Sequence, residues 1–186
     1  MFLHVQYLEK AKKLTEHVVK NFSDPSTDLF FYTNKHQIDI VVRKKEVYDG
    51  AQPSGNSIMA DNLHRLGIYF DKSDWREKSI RMIHSLGKAI MRYPTSFGTW
   101  ACLVQEIIAG TNEIAVISDT EDTLSQVLKE YIPHKIIMFG SEGSNSFPLL
   151  SGKEKSSEAK IYLCRTYLCE KPVTSVSALM AFIRRK

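Results

Sequence analysis

Apolar residues near the start of the chain recur at three- and four-residue spacing: Val5, Leu8, Ala11, Leu14, Val18 and Phe22, with Lys and Glu between them. That spacing gathers them on one helical face and predicts a helix over about residues 4–22. Ser23-Asp24-Pro25-Ser26 is turn chemistry and stops it. Two short runs, Leu29–Tyr32 and Ile38–Val42, are rich in aromatic and β-branched residues, which predicts a β-hairpin. Helical spacing then returns three times. It runs over about 54–70 (Ile58, Met59, Leu63, Leu66, Tyr69), about 74–91 (Trp75, Ile80, Ile83, Leu86, Ile90) and about 96–108 (Phe97, Trp100, Val104, Ile107). Tyr93-Pro94-Thr95 separates the last two.

After Gly110 the period changes. Glu113–Ser118 and Lys135–Phe139 are compact apolar runs, and between them lies a helical stretch opened by Thr120 and closed by Pro133. Strand, short helix and strand form a βαβ unit, so these strands should be parallel with a right-handed crossover. Residues 140–159, rich in Gly, Ser, Glu and Lys, read as a loop. A third strand, 160–164, and a last helix to about Ile183 follow. The expected fold class is α+β. Helical hairpins over 1–110, with a β-hairpin near 29–42, precede a three-stranded α/β unit over 111–186. No fixed-period repeat is visible.

Composition adds exclusions. The 186 residues are 43% hydrophobic and 25% charged, an ordinary globular balance. The formal charge of +4 is spread through Lys10, Lys12, Lys13, Arg43–Lys45 and Arg184–Lys186, without a basic stripe interleaved with aromatics, so no nucleic-acid partner is expected. No apolar run approaches the roughly 20 residues of a membrane helix, and residues 1–6 lack signal-peptide character, so no membrane partner and a cytoplasmic location are expected. The three cysteines, an odd number, argue against a secreted disulfide scaffold.

The strongest chemical candidate is Tyr48-Asp49-Gly50-Ala51-Gln52-Pro53-Ser54-Gly55-Asn56-Ser57. Asp-Gly favours a tight turn, Pro53 fixes φ before the helix, and Ser54 and Asn56 suit capping. A helix start presents unpaired N–H groups and a partial positive charge, which attract polar or anionic ligands. Asp49, Ser54 and Asn56 are therefore candidate ligand-binding residues, with Tyr48 as a flat face for a ring. The competing reading is an elaborate N-cap in which Asp49 ties its own turn. Glu46 joins the set, because two carboxylates three residues apart can divide acid and base work where their environments differ.

Cys164 and Cys169 have four residues between them, the wrong gap for a C-x-x-C redox motif, and there is no second ligand pair for zinc. They read as two thiols, with a disulfide or an outside-ligated metal as the alternatives. The six histidines show no H-x-x-x-H pattern and read as core or surface residues. Asp119-Thr120-Glu121-Asp122 follows the first α/β strand, where open α/β folds place ligands, but lacks a glycine-rich phosphate loop and reads as a solvated cap. Trp75 and Trp100 read as core. No metal site and no cofactor are expected.

The run Lys45–Ser57, followed by Asn62-Leu63-x-Arg65-Leu66, resembles the helical portion of thioredoxin-domain-containing proteins related to spermatogenesis-associated thioredoxin-like proteins. Leu149-Leu150-x-Gly152-Lys153 and Cys164-x-x-x-x-Cys169-x-x-Pro172-Val173-Thr174 are similar to that family's C-terminal end. The resemblance implies a thioredoxin-like domain followed by an (α/α)6 barrel similar to N-acylglucosamine 2-epimerases. This chain would be the C-terminal part of that arrangement, a fragment carrying a partial toroid and lacking the thioredoxin-like and remaining barrel segments. Inner-helix starts line the pocket of such barrels, so Asp49, Ser54 and Asn56 would form one wall of a carbohydrate or small polar ligand site. A homo-oligomer, or a non-catalytic interaction module, is the alternative expectation.

Overall fold

The computed structural model describes residues 5–144 and 146–184; His4 and the basic end at Arg185 and Lys186 lie outside the described residues. The chain divides into two compact units, a helical one of Val5–Ile68 and Lys72–Ile108, and an α/β one of Tyr69–Asp71 with the described residues from Ala109 onward.

The helical unit contains α1 (Val5–Phe22), the greater part of α2 (Gly55–Tyr69), α3 (Ser73–Arg92) and α4 (Gly98–Ala109). A 3-10 turn at Pro94–Ser96 stands where proline was expected to break the third helix. Its core is built from Ala60, Leu63, Leu66, Trp75, Met82, Phe97, Trp100 and Leu103, all buried. Small residues let α2 and α3 approach: Ser79 and Ala60 are fully buried, and the Ser79 hydroxyl donates to the Ala60 carbonyl at 2.7 Å. Gly67 serves the same hairpin. A Cβ there would stand 2.6 Å from Arg76 Cγ and 3.1 Å from the Lys72 carbonyl oxygen. Helix α1 behaves differently. Its buried residues are Thr15 and Asn21, while Tyr7 is 66% and Leu14 58% exposed.

The hairpin expected over 29–42 does not form. Phe30 makes a single antiparallel bridge, to Ser23. Its N–H and carbonyl are both taken by the Asn56 side chain, at 2.7 and 2.9 Å, so no ladder can extend through them. Leu29 and Phe30 are buried, whereas Ile38 is 99% and Val41 98% exposed. The β-branched run has no apolar surface to pack on, and β-propensity is realised only against one.

The α/β unit is a four-stranded sheet in the order β2-β1-β3-β4: β1 (Asn112–Ile117), β2 (Lys135–Gly140), β3 (Lys160–Arg165) and β4 (Leu168–Cys169). The expected parallel pairing is present, with Ile114 facing Ile137 across β1 and β2 and α5 (Asp122–Lys129) as the crossover. Strand β3 runs antiparallel to β1, Ile114 opposite Leu163. Every β1 residue is buried. The core joins Ile114, Val116, Val127, Ile161 and Leu163 to Leu179 of α6 (Val176–Arg184).

The expected three strands are thus four. The turn joining β3 to β4 holds Thr166 and Tyr167 at φ of 51° and 63°, left-handed conformations without the glycine that announces such turns. Their N–H groups donate to the buried Glu113 carboxylate on β1, at 2.9 and 3.1 Å. The turn is stabilised from a distant strand rather than by its own sequence.

Candidate functional site

The segment flagged by sequence lies against two helix starts. Asp49 Oδ1 accepts from the Ser54 N–H at 2.8 Å and from the Ser57 hydroxyl at 2.7 Å, at the head of α2. Its Oδ2 accepts from the Thr99 N–H at 2.8 Å, in the first turn of α4. The Asp49 N–H donates to the Ser96 carbonyl at 2.9 Å. One carboxylate therefore satisfies orphan donors of two helices at once, where a negative charge also suits both helix dipoles. Burial pushes the Asp49 carboxyl upward, but the hydrogen bonds from Ser54, Ser57 and Thr99 outweigh it and hold the group below its ordinary value. Ser54 is itself a cap: its Oγ accepts from the Ser57 N–H at 3.1 Å.

Asn56, also buried, is equally committed. Besides bonding both backbone groups of Phe30, its amide donates to the Glu46 carbonyl at 2.8 Å. The Trp100 indole N–H donates to the Val47 carbonyl at 2.9 Å. The stretch Glu46–Asp49 is thereby fastened through backbone and side chain, and its exposed groups are left facing outward. Tyr48 is 60% exposed and rests against Phe97, ring centroids 5.1 Å apart. The exposed Glu46 carboxylate accepts from the Tyr48 N–H at 3.2 Å. Glu46 and Asp49, paired by sequence spacing, have separate partners.

Of the five residues singled out here, Asp49, Ser54 and Asn56 come together with their polar atoms engaged inside the protein. Glu46 and Tyr48 present theirs to solvent. Beside them opens a cavity of about 330 Å³ lined by Tyr32, Thr33, Ile40, Val42, Lys44 and Glu46. A second cavity, of about 210 Å³, is lined by Val18, Phe30, Phe31, Tyr32, Glu46, Gly55, Asn56 and Met59, so the candidate Asn56 borders it. Tyr32 and Glu46 line both.

Two clusters went unremarked in the sequence. Glu106, buried on α4, pairs with Arg65 Nη2 at 2.6 Å and stands 3.8 Å from His64 Nε2, while Asp61 holds the other side of Arg65 at 2.9 Å. The readable signal was one acidic residue amid the apolar Trp100–Ile107 run. Burial pushes the His64 imidazole down, against the pull of Glu106. The second is Asp24, which bonds Lys45 Nζ, Ser26 and Thr27 and is held well below the usual carboxylate range, chiefly by Lys45.

In the α/β unit, Cys164 and Cys169 face one another across β3 and β4 and are joined by a disulfide; Cys102 is free and exposed. The acidic run after β1 is surface chemistry, with Asp119 paired to Lys155 at 2.8 Å. Among the described residues, no cluster of three or more His, Cys, Asp and Glu is arranged to hold a metal ion. No described helix is long and apolar enough to cross a membrane.

No family model matches the chain. It is similar to Spermatogenesis-associated protein 20 of mouse, 26% identical over 194 residues, covering 96% of this chain and 24% of that protein. The human protein of the same name is 27% identical over 183 residues, covering 90% of this chain and 23% of its own length. An uncharacterized protein of Caenorhabditis elegans is 24% identical over 182 residues, covering 94% of this chain and 25% of its own length. The resemblance read from the sequence motifs thus extends to relatives bearing the spermatogenesis-associated name, and the chain spans about a quarter of their length.

Proposed function

We propose that this chain is a non-catalytic interaction module that works packed against further helices. The carrying observation is α1. It is an 18-residue helix with apolar positions at helical spacing, yet Leu8, Ala11, Val18 and Phe22 are only half-buried, and Val5 and Leu14 are exposed. A helix gains most of its stability by burying such a face, so one left partly open marks a contact surface. The length of the relatives supports the same reading, since three-quarters of each lies beyond the matched stretch. The finer reading of the resemblance belongs here too. The four helices would be part of an (α/α)6 barrel that follows a thioredoxin-like domain, and the barrel's remaining helices would cover α1. A dye sensitive to exposed apolar surface tests this on the 186-residue chain. Binding should be strong, and should fall severalfold in Leu14→Glu with an unchanged melt; a chain that binds no dye would sink the proposal.

A second reading keeps the ligand pocket. Around the 330 Å³ cavity, Tyr32 offers an aromatic face, Lys44 an ammonium and Glu46 a carboxylate. An aromatic plate with a few polar groups is what a carbohydrate ring needs. Thermal-shift screening of free and N-acyl sugars, with Glu46→Gln and Tyr32→Ala as controls, tests it. No shift with any sugar removes it.

A further inference from the structure

The Cys164–Cys169 disulfide joins two different environments. Cys164, on β3, is wholly buried, whereas Cys169, on the two-residue edge strand β4, is exposed. Solvent therefore reaches the bond from its Cys169 side. The edge around it is also held by other means. The Thr166 and Tyr167 N–H groups donate to the Glu113 carboxylate, and the Glu170 N–H donates to the Leu163 carbonyl at 2.8 Å. A little further on, Ile161 and Val173 exchange both backbone hydrogen bonds, at 2.7 and 2.9 Å. The chain is thus tied to the sheet on both sides of Cys169, and the sulfur–sulfur bond can open while β3 and β4 stay paired. An accessible disulfide that the fold does not depend on is exchangeable, unlike one sealed in a core.

We propose that Cys164–Cys169 is a reversible thiol–disulfide exchange site for a dithiol, attacked at Cys169. One thiolate of the dithiol attacks Cys169 Sγ and forms a mixed disulfide with it. The Cys164–Cys169 bond breaks, its electron pair leaves on Cys164 Sγ, and Cys164 takes up a proton. The second thiol of the dithiol, deprotonated in its turn, attacks the reagent's own sulfur in the mixed disulfide. Cys169 leaves and is protonated. Two electrons pass to the protein: the dithiol becomes a disulfide, and the pair becomes two thiols. A monothiol cannot complete this sequence efficiently. Cys164 remains opposite Cys169 at high effective concentration and expels a monothiol by reversing the first step.

The test uses the 186-residue chain with Cys102→Ser, so that only this pair of cysteines remains. Reduction by dithiothreitol under native conditions is followed by mass after trapping with N-ethylmaleimide in denaturant. Both thiols should appear at a rate proportional to the dithiothreitol concentration. That rate should not change in urea kept short of the unfolding transition. Glutathione at equal thiol concentration should act at least about tenfold more slowly. The far-UV circular dichroism should survive reduction, and glutathione disulfide should restore the bond. In the folded variants, Cys164→Ala should take up one glutathione from glutathione disulfide and Cys169→Ala none. A rate that levels off with dithiothreitol, or climbs severalfold in that urea, means that the bond opens only on unfolding and overturns the proposal. So does loss of the fold on reduction, a pair that never forms the bond, or equal adducts on the two variants. The urea comparison leaves the pair intact, so it decides the matter even where a variant fails to fold.

Discussion

Replacing Asp49 should destabilise the helical unit, because its carboxylate ties two helix starts together. Asp49→Ala removes the acceptor for the Ser54 and Thr99 N–H groups and for the Ser57 hydroxyl. Each capping bond is worth about 1 kcal/mol, and a side-chain bond to a carboxylate at least as much, so the loss is about 3 kcal/mol. The three share one group and act together, so they will not separate into additive parts. Asp49→Asn keeps one acceptor oxygen and should lose about half as much. Both tryptophans of the chain, Trp75 and Trp100, are buried in the helical unit, so selectively excited tryptophan fluorescence reports that unit alone. With a urea m-value near 2 kcal/mol/M, the midpoint should fall by about 1.5 M in Asp49→Ala. Because the folded carboxyl sits below its ordinary value, its contribution is complete above about pH 4 and fades as pH falls further. The gap between wild type and Asp49→Asn should therefore narrow in acid. A midpoint unchanged or raised at pH 7 would refute the tie and return Asp49 to the ligand reading, since residues held for binding often cost stability.

Asn56→Asp should destabilise the same unit by about 3 kcal/mol by urea melt, because it turns an amide donor into a charge facing the Phe30 and Glu46 carbonyls. The buried His64 is held below its ordinary value, so the unfolded chain takes up its proton first; stability should decline as pH falls below about 6.5, and His64→Gln should flatten the pH 7 to 5 slope of the fluorescence midpoint. Intact mass after alkylation of the denatured chain should show one label without reductant, on Cys102, and three with it.

What the sequence revealed follows the range of the interactions concerned. Helices α2, α3 and α4 and the parallel pair β1–β2 were legible because their spacing reports which face is buried. Strand β4 was not, since two residues make no pattern and Thr166–Tyr167 carries no turn residue. Ile38–Val42 was misread as a hairpin strand because composition states what a strand could pack and not whether a surface awaits it. At the site, Asp49, Ser54 and Asn56 were recognisable as cap chemistry. Their direction was not, because it depends on Thr99, 50 positions from Asp49, and on Phe30, 26 from Asn56. Glu106 and Arg65, 41 apart, were hidden for the same reason.

The Glu113 carboxylate carries a consequence for the edge of the sheet. The turn at Thr166 and Tyr167 costs about 1–2 kcal/mol for each left-handed residue. Part of that cost is offset from 53 residues upstream, where Glu113 stands opposite Cys164 in the β1–β3 register and accepts from both turn amides. The Cys164–Cys169 disulfide adds a covalent link in the same register, so the two-residue edge strand β4 is held both by a distant carboxylate and by its own cross-strand bond.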